Sequence, residues 1–399
     1  MNRTILHCDM DNFFASVECL DYPQIRHLPV AVCGDAEMRH GVVLAKNDVA
    51  KSYHVKTGES IFSAQKKCPH LYILSPNFDK YRNFSNRAKE IYYSYTNLCE
   101  EYSIDECFLD VTGSQKLFGD GESIARQIKE RIKQELGITV SIGVSYNKFF
   151  AKMGSDYKKP DSVTVITEKN YKEILWKLPL TRMLFIGDAS AKLLYHIGIK
   201  TIGDLGAASA DVLFQILGKN GPYLKSLANG QDRSVVSDFQ HISIPKSLSQ
   251  CITPSHNICS NDEMKKVLLT LAQNVTKRLR SQAFKAGELS LKIRDPFFHE
   301  VSHQIKFLIP TQLWHDIFAS AYQIYLSRFS HIREIRAVTL RLGALKSTSE
   351  EALPLCFEES ENDHFNRLEE TIDNIQSRFG THIIQNGIQF THPDLRLRK

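Results

Sequence analysis

Residues 4–10 form an apolar run that meets the acidic cluster Cys8-Asp9-Met10-Asp11, and they predict a strand ending at Asp9. Phe13, Phe14, Val17 and Leu20 then recur at helical spacing, with Asp11 or Asn12 as the N-cap. Short apolar runs at 29–33 and 41–44 predict strands, and residues 46–53 and 60–68 predict small lysine-bearing helices. Tyr81, Phe84, Ala88, Ile91 and Tyr95 line one face of a helix over 80–98. Tyr102 to Val111 is a second strand-like run, and it too carries acids, in Ser103-Ile104-Asp105-Glu106. A helix over 122–135 and a strand over 138–144 complete the alternation. That order predicts a split β-α-β, ferredoxin-like sheet with its helices on one face.

The pattern changes near residue 180. Short helical stretches there are punctuated by glycines at 187, 198, 218 and 221. A polar stretch at 231–249 reads as a linker, and a separate α+β unit follows. Ser260 to Glu263 spells a capping box ahead of the apolar stripe Met264, Val267, Leu268, Leu271, Val275 and Leu279. Strands are expected at 288–294, 303–309 and 335–343, with a helix at 311–328. Past the polar segment 346–364, Leu368, Ile372, Ile375 and Phe379 predict a last amphipathic helix, stopped at Gly380.

With 399 residues, 42% hydrophobic and 24% charged, the chain reads as an ordinary soluble protein of several domains. No apolar run approaches a membrane span, and acids interrupt the only apolar start where a signal peptide would lie. Nine scattered cysteines without a C-x-x-C fit a reducing cytoplasm better than a disulfide scaffold or zinc ribbon. The net charge of +5 is small, so any nucleic-acid footprint has to be local.

The two acidic clusters change the picture. Adjacent carboxylates within an apolar run are costly without a cation, and hard oxygens suit paired divalent metals for phosphoryl transfer. Successive strand side chains point to opposite faces, so Asp105 and Glu106 can share a site only at a strand end or bend. Asp11 is open to two readings, helix cap or metal site.

Three segments carry a specific resemblance: Cys8-Asp-Met-Asp-Asn-Phe-Phe-Ala-Ser-Val-Glu18, Tyr102-Ser-Ile-Asp-Glu-Cys-Phe-Leu-Asp-Val111 and Ser141-Ile-Gly-Val-Ser-Tyr-Asn-Lys-Phe-Phe-Ala-Lys152. In order and spacing they resemble the palm motifs of Y-family translesion DNA polymerases, the DNA polymerase IV branch in particular. The resemblance extends with decreasing strength over about residues 1–345. It implies an α+β right-hand polymerase: palm over 1–11 and 77–166, fingers over 12–76 and a helix-hairpin-helix thumb over 167–235. A linker over 236–249, an α+β little finger over 250–345 and a tail over 346–399 would follow.

The resemblance makes Asp9, Asp105 and Glu106 the catalytic carboxylates. With the Met10 carbonyl, they would hold two Mg²⁺, for which Mn²⁺ could substitute. Phe13 and Phe14 would border the nucleotide, with Phe14 as the steric gate against a ribose 2′-hydroxyl. Lys159, and Lys51 on the fingers, would hold the triphosphate. One departure concerns that grip: many relatives place Tyr and Arg on the fingers helix, where this chain offers Asp48 and Lys51, and Lys46 stands nearby to compensate.

Gly187 and Gly218 fall where thumb hairpins would offer backbone N–H groups to DNA phosphates. The first hairpin has Phe185 where a glycine is common. From 265 to 294 there are eight Lys or Arg against one acid, Glu288. Lys292, Arg294 and Arg341 alternate with apolar residues, as one basic face of a sheet lying on DNA would require. In the tail, Ala352-Leu353-Pro354-Leu355-Cys356-Phe357 resembles a bacterial sliding-clamp-binding hexapeptide, with Leu353, Leu355 and Phe357 as anchors. A helix-packing segment would look the same.

The expected activity is addition of deoxynucleotides to a primer 3′ end by a monomer. Primer-template DNA, dNTP and the replicative clamp would be its partners, in the bacterial cytoplasm and at the nucleoid. Fingers of about 65 residues imply weak geometric checking and low fidelity, and no segment offers a proofreading exonuclease. A nucleotidyl cyclase would share the paired carboxylates but have no use for a thumb or basic sheet. A non-catalytic DNA- or clamp-binding scaffold would have no need of the carboxylates.

Overall fold

The computed structural model describes residues 3–35, 41–239, 244–348, 361–380 and 383–384. The chain opens with strand β1 (Ile5–Met10) and helix α1 (Phe13–Asp21). Next come β2 (Val30–Cys33), β3 (Val43–Lys46), α2 (Asp48–Ser52), α3 (Ile61–Lys67) and β4 (Tyr72–Leu74). Helix α4 (Phe78–Tyr93) leads into the hairpin of β5 (Cys99–Glu101) and β6 (Glu106–Asp110). Then follow α5 (Gln115–Phe118), α6 (Gly121–Leu136), β7 (Val140–Ser145), α7 (Lys148–Ser155) and β8 (Val163–Ile166). Short helices α8 (Tyr171–Leu175), α9 (Asp188–His196), α10 (Ile202–Ala207), α11 (Ala210–Leu217) and α12 (Asn220–Ala228) end this part.

Strands β5-β6-β1-β7-β8 form one sheet, with β1 antiparallel to both β6 and β7. Every residue of β1 is buried, because both faces of the sheet are covered. Leu6, Cys8 and Met10 join a core built with α4 and α6. On the opposite face α7 packs across β1, β7 and β8. The expectation of helices on one face therefore fails: α7 covers the second face, which carries Ile5, His7 and Asp9, so β1 is buried on both sides.

The register is tight where α7 crosses. A Cβ added at Gly143 on β7 would lie 1.8 Å from the Ala151 carbonyl oxygen, so helix and strand touch backbone to backbone. Phe149, Phe150 and Met153 of α7 continue into a second core with Leu194, Leu205, Leu213 and Leu224 of the helical segment. A third, small core of Ala31, Val43, Ala50 and Ala64 lies under the sheet β3-β2-β4.

Three local expectations shift. The strand expected at 41–44 forms two residues later as β3, and the helix expected to reach 98 stops at Tyr93, since residues from 99 pair as β5. The start of the expected linker is bound to the sheet domain. Val236 is buried with Ile5 and Phe108, the Ser237 N–H donates to Glu100, and the Phe239 N–H donates to the Asn97 carbonyl.

The chain divides into two compact units with the boundary after Ile242. The second contains β9 (Ser247–Ile252), α13 (Asn261–Ser281), β10 (Phe284–Arg294), β11 (Glu300–Thr311), α14 (Trp314–Ile324), β12 (Ala337–Ser347) and α15 (Glu361–Phe379). Its sheet runs β11-β10-β12-β9, so the end of the expected linker is an edge strand. The α13 stripe is buried as its periodicity requires. Its cap is only half a capping box: Ser260 accepts from the Glu263 N–H, while the Glu263 carboxylate accepts from Cys259 rather than Ser260.

Helix α15 docks by its polar side. Glu369, 4% exposed, and Asp373 pair with Arg280, and Gln312 donates to Asn366. Leu368 and Phe379, expected to face inward, are exposed. The hexapeptide at 352–357, with Leu353, Leu355 and Phe357, lies outside the described residues.

Candidate active site

Asp9 lies on β1 directly opposite Glu106 on β6, and residues paired in this way point to the same face. Glu106 is the first residue of its strand and Asp105 the last of the turn before it. The chain bends there, as two adjacent carboxylates in one site require. Oxygens of Asp9 and Glu106 and a ring nitrogen of His7 all lie within 4.8 Å of one another. His7 sits two residues before Asp9, hence on the same face. That alternation was readable in the sequence but was not used there.

Asp105 is less central than expected. Its backbone carbonyl accepts from the Met10 N–H at 3.1 Å, and its carboxylate accepts from the Ser103 hydroxyl at 2.6 Å. It stands outside the cluster of His7, Asp9 and Glu106. Met10 itself is buried at the end of β1.

Two lysines meet the two facing carboxylates. Lys159 Nζ lies 2.5 Å from Asp9 Oδ2 and 3.3 Å from Asp156. Lys152, 7% exposed, donates to Glu106 Oε2 and sits over the Tyr102 ring. Lys152 follows the apolar pair Phe149 and Phe150 on a short helix, and a lysine buried in such company is a signal for a partner.

Burial pushes the Asp9 carboxyl up to about 7, against the pull of Lys159. Burial also raises Glu106, but the hydrogen bond from His7 and the Lys152 ammonium prevail and hold it at about 2. His7, fully buried, is lowered to about 4 by desolvation. The site thus concentrates hard anionic oxygens against cations, and the Lys159 ammonium at Asp9 occupies a position that a divalent ion would compete for. The donor set fits such an ion.

Asp11 fulfils neither reading from the sequence. It is 2% exposed; it accepts from the Ser141 hydroxyl at 2.7 Å and from the Asp161 N–H at 2.8 Å. It thereby ties β1 to the loop that carries Lys159. The N-cap of α1 is Asn12, in a left-handed conformation without a side-chain cap.

Phe14 is half-buried and stacks on Tyr81, with ring centroids 4.2 Å apart and planes 11° from parallel. Tyr81 is fixed in turn by donating to Glu18. Phe13, by contrast, is 3% exposed in the sheet core. A direct side-chain contact of Phe13 with a nucleotide is therefore corrected to a packing role. On the segment expected to form the fingers, Lys51 is exposed, and Asp48 accepts from Asn12 Nδ2 at 3.0 Å. Lys46 donates to Thr57, and burial together with neighbouring Lys51 lowers its ammonium.

In the helical segment, Gly187 is the N-cap of α9, and Gly218 ends α11 at φ +59°. Phe185 has φ +69°, the left-handed region where glycine is at ease, which accounts for glycine being common at that position.

In the second unit, Lys292 and Arg294 share a sheet face with Arg341, which lies opposite Ser290. The apolar partners Leu289, Leu291, Ile293, Leu340 and Leu342 are all buried on the other face. Sequence counting missed one acid: Glu300 of β11 pairs with both Lys292 and Arg294. Replacing Glu300 by Gln should free both cations and tighten duplex binding at low salt. Arg341→Ala should weaken it and reduce the slope of log K against log salt by about 1. Fluorescence anisotropy across a salt series measures both, and identical slopes for the two variants and wild type would rule out DNA contact by this face.

Comparison with known proteins agrees with these features. Residues 8–156 match the impB/mucB/samB family and residues 245–355 match the C-terminal domain of that family. The chain is 43% identical over 390 residues to DNA polymerase IV of Acetivibrio thermocellus, covering 97% of this chain and 98% of the relative. It is 33% identical to DNA polymerase IV 1 of Bacillus subtilis, covering 97% of this chain and 93% of the relative. A solved Y-family DNA polymerase chimera superposes with a TM-score of 0.77 at 25% identity, covering 86% of this chain and 99% of that one. Acidic strand ends meeting across a two-sided sheet, and relatives matching from end to end, lead to one conclusion: the chain belongs to the Y family of DNA polymerases.

Proposed function

We propose that Asp9 and Glu106, joined by Asp105 once it leaves Ser103, hold two Mg²⁺ in this translesion DNA polymerase. The observation that carries the assignment is the register pair Asp9–Glu106, each carboxylate already facing a cationic group. When bound, the divalent ions favour the deprotonated primer 3′-hydroxyl and neutralise the departing pyrophosphate. The protein positions the reactants. Asp11 fixes the loop of Lys159, which leaves Asp9 for the triphosphate, and Lys51 and Lys46 supply further positive charge from the fingers. Asp48 is held by Asn12, so we assign it a role in orienting that segment rather than in binding phosphate.

The Tyr81 stack supports Phe14 as the gate against a 2′-hydroxyl. Phe14→Ala should raise ribonucleotide incorporation by about 10²–10³-fold relative to wild type, the loss of roughly 3–4 kcal/mol of steric discrimination. Single-nucleotide primer extension with rCTP and dCTP reads it directly, and an unchanged ratio would assign the gate elsewhere.

Gly187 and Gly218 would receive template phosphates, and Lys292, Arg294 and Arg341 would follow the duplex. Binding of the clamp through residues 353–357, a monomeric state, and cytoplasmic location with nucleoid association belong to the same proposal. The bacterial relatives support the location, and among the described residues no helix is long and apolar enough to cross a membrane. The test of the whole is extension of a primer past an abasic site with Mg²⁺ and, separately, Mn²⁺. Absence of extension even on undamaged template would overturn it.

A further inference from the structure

We propose that His7 is a positioning residue for the Glu106 carboxylate, donating to it from Nε2, and is not itself a ligand of the bound cation. The inference rests on the assignment of Glu106 as a metal-holding residue and deepens it.

The His7 ring is fully buried between two polar partners. Nε2 lies 3.1 Å from Glu106 Oε2, and Nδ1 lies 2.7 Å from the Ser155 hydroxyl on α7. An ionised carboxylate only accepts, so Nε2 carries the hydrogen. Nδ1 then has the lone pair and can accept the single hydrogen of the Ser155 hydroxyl, for which the Lys152 carbonyl at 2.8 Å competes. A doubly protonated ring would still donate from Nε2, so the direction of this bond is independent of the charge on His7.

The ring is also flanked by two aromatic side chains. The Phe108 ring lies 4.5 Å away and the Tyr102 ring 6.4 Å away, centroid to centroid. Ligating a cation needs a bare ring nitrogen aimed at it, whereas both nitrogens of His7 are already engaged. Proximity to Asp9 and Glu106 alone would have suggested a three-residue metal site. Hydrogen-bond direction assigns the histidine to the layer behind it, where imidazoles and carboxylates orient one another.

Both donors, His7 and Lys152, converge on Oε2 of Glu106. Among the described residues, no hydrogen bond engages Oε1, which is the oxygen left for the cation. Ser155 and Lys152 stand on the same helix, so α7 sets the direction of the Glu106 carboxylate through two routes.

The test uses the full chain. Pulsed electron paramagnetic resonance of the Mn²⁺-loaded wild-type protein should show no directly coordinated nitrogen; a coordinated imidazole signal overturns the proposal without any variant. Next, Mn²⁺ affinity and the Mg²⁺ concentration for half-maximal primer extension are measured for His7→Leu, His7→Gln and Ser155→Ala. His7→Leu, which has no donor, should weaken both about 10–100-fold. Its extension rate should recover at saturating Mg²⁺. His7→Gln retains an N–H donor and should recover most of the affinity, and Ser155→Ala should fall between them. An unchanged Mg²⁺ requirement in His7→Leu, or His7→Gln as impaired as His7→Leu, overturns the role of His7. Glu106→Gln serves as the reference. If it abolishes Mn²⁺ binding and His7→Leu does not weaken it, only the histidine assignment falls. If Glu106→Gln itself binds Mn²⁺ normally, the underlying site assignment falls with it.

Discussion

Asp9→Asn is expected to lower primer extension by about three orders of magnitude or more. Asparagine keeps the shape of the side chain but removes the charge facing Lys159, in a position only 5% exposed. Loss of one charged oxygen donor from a site that must stabilise phosphoryl transfer costs roughly 4 kcal/mol or more in the barrier, hence the factor of about 10³. Steady-state extension on undamaged template measures it, and a loss of less than about tenfold would remove Asp9 from the catalytic set.

The same substitution has a stability signature of opposite sign. The Asp9 carboxyl rises from an unfolded value near 4 to about 7 in the fold. The unfolded chain therefore ionises first, and wild type loses stability relative to Asp9→Asn as pH climbs from about 4 to about 7. The difference should reach a few kcal/mol above that window and vanish below it. Thermal melts of both proteins in chelator, from pH 4 to 8, decide the matter. A pH-independent difference would show that burial does not control this carboxyl.

Gly143→Ala should destabilise the sheet domain by about 3 kcal/mol, enough to lower its Tm by roughly 6–12 °C. The new Cβ would meet the Ala151 carbonyl oxygen at 1.8 Å and the Ser155 nitrogen at 2.5 Å. Both are backbone atoms of α7, which cannot rotate away as a side chain could. Relief requires α7 to lift off β7 and β1, and α7 carries Lys152 to Glu106 and Ser155 to His7. Stability and cation affinity should therefore fall together. Calorimetry that found a Tm within about 3 °C of wild type would show that α7 rests less tightly on the strand than its backbone contacts imply.

Much of the architecture was legible because its signals are local. The buried stripe of α13 follows from its spacing alone, and the apolar setting of Asp9 and of Glu106 was visible in each strand by itself. The failures depended on pairing that composition does not show, across one hairpin for Glu300 and over long sequence separations for the others. The hidden acid of the basic sheet is Glu300, which reaches Lys292 and Arg294 by strand register. Leu368 and Phe379 looked like the inner face of α15, but Arg280 offers its polar face a better partner. Residues 231–239 look like linker by composition, yet the sheet domain binds their backbone and buries Val236.

The sequence by itself determined the elements, the acidic strand ends and the family, because periodicity, spacing and motif order are carried by neighbouring residues. Only the tertiary structure decided which groups meet at the site. It brought Asp9 to Glu106, turned Asp11 toward the Lys159 loop and placed His7 behind the carboxylate. The physical reason is register. Pairing between β1 and β6, about a hundred residues apart, is fixed by packing on both faces of the sheet, and a one-residue slip would turn His7 and Asp9 to the side opposite Glu106.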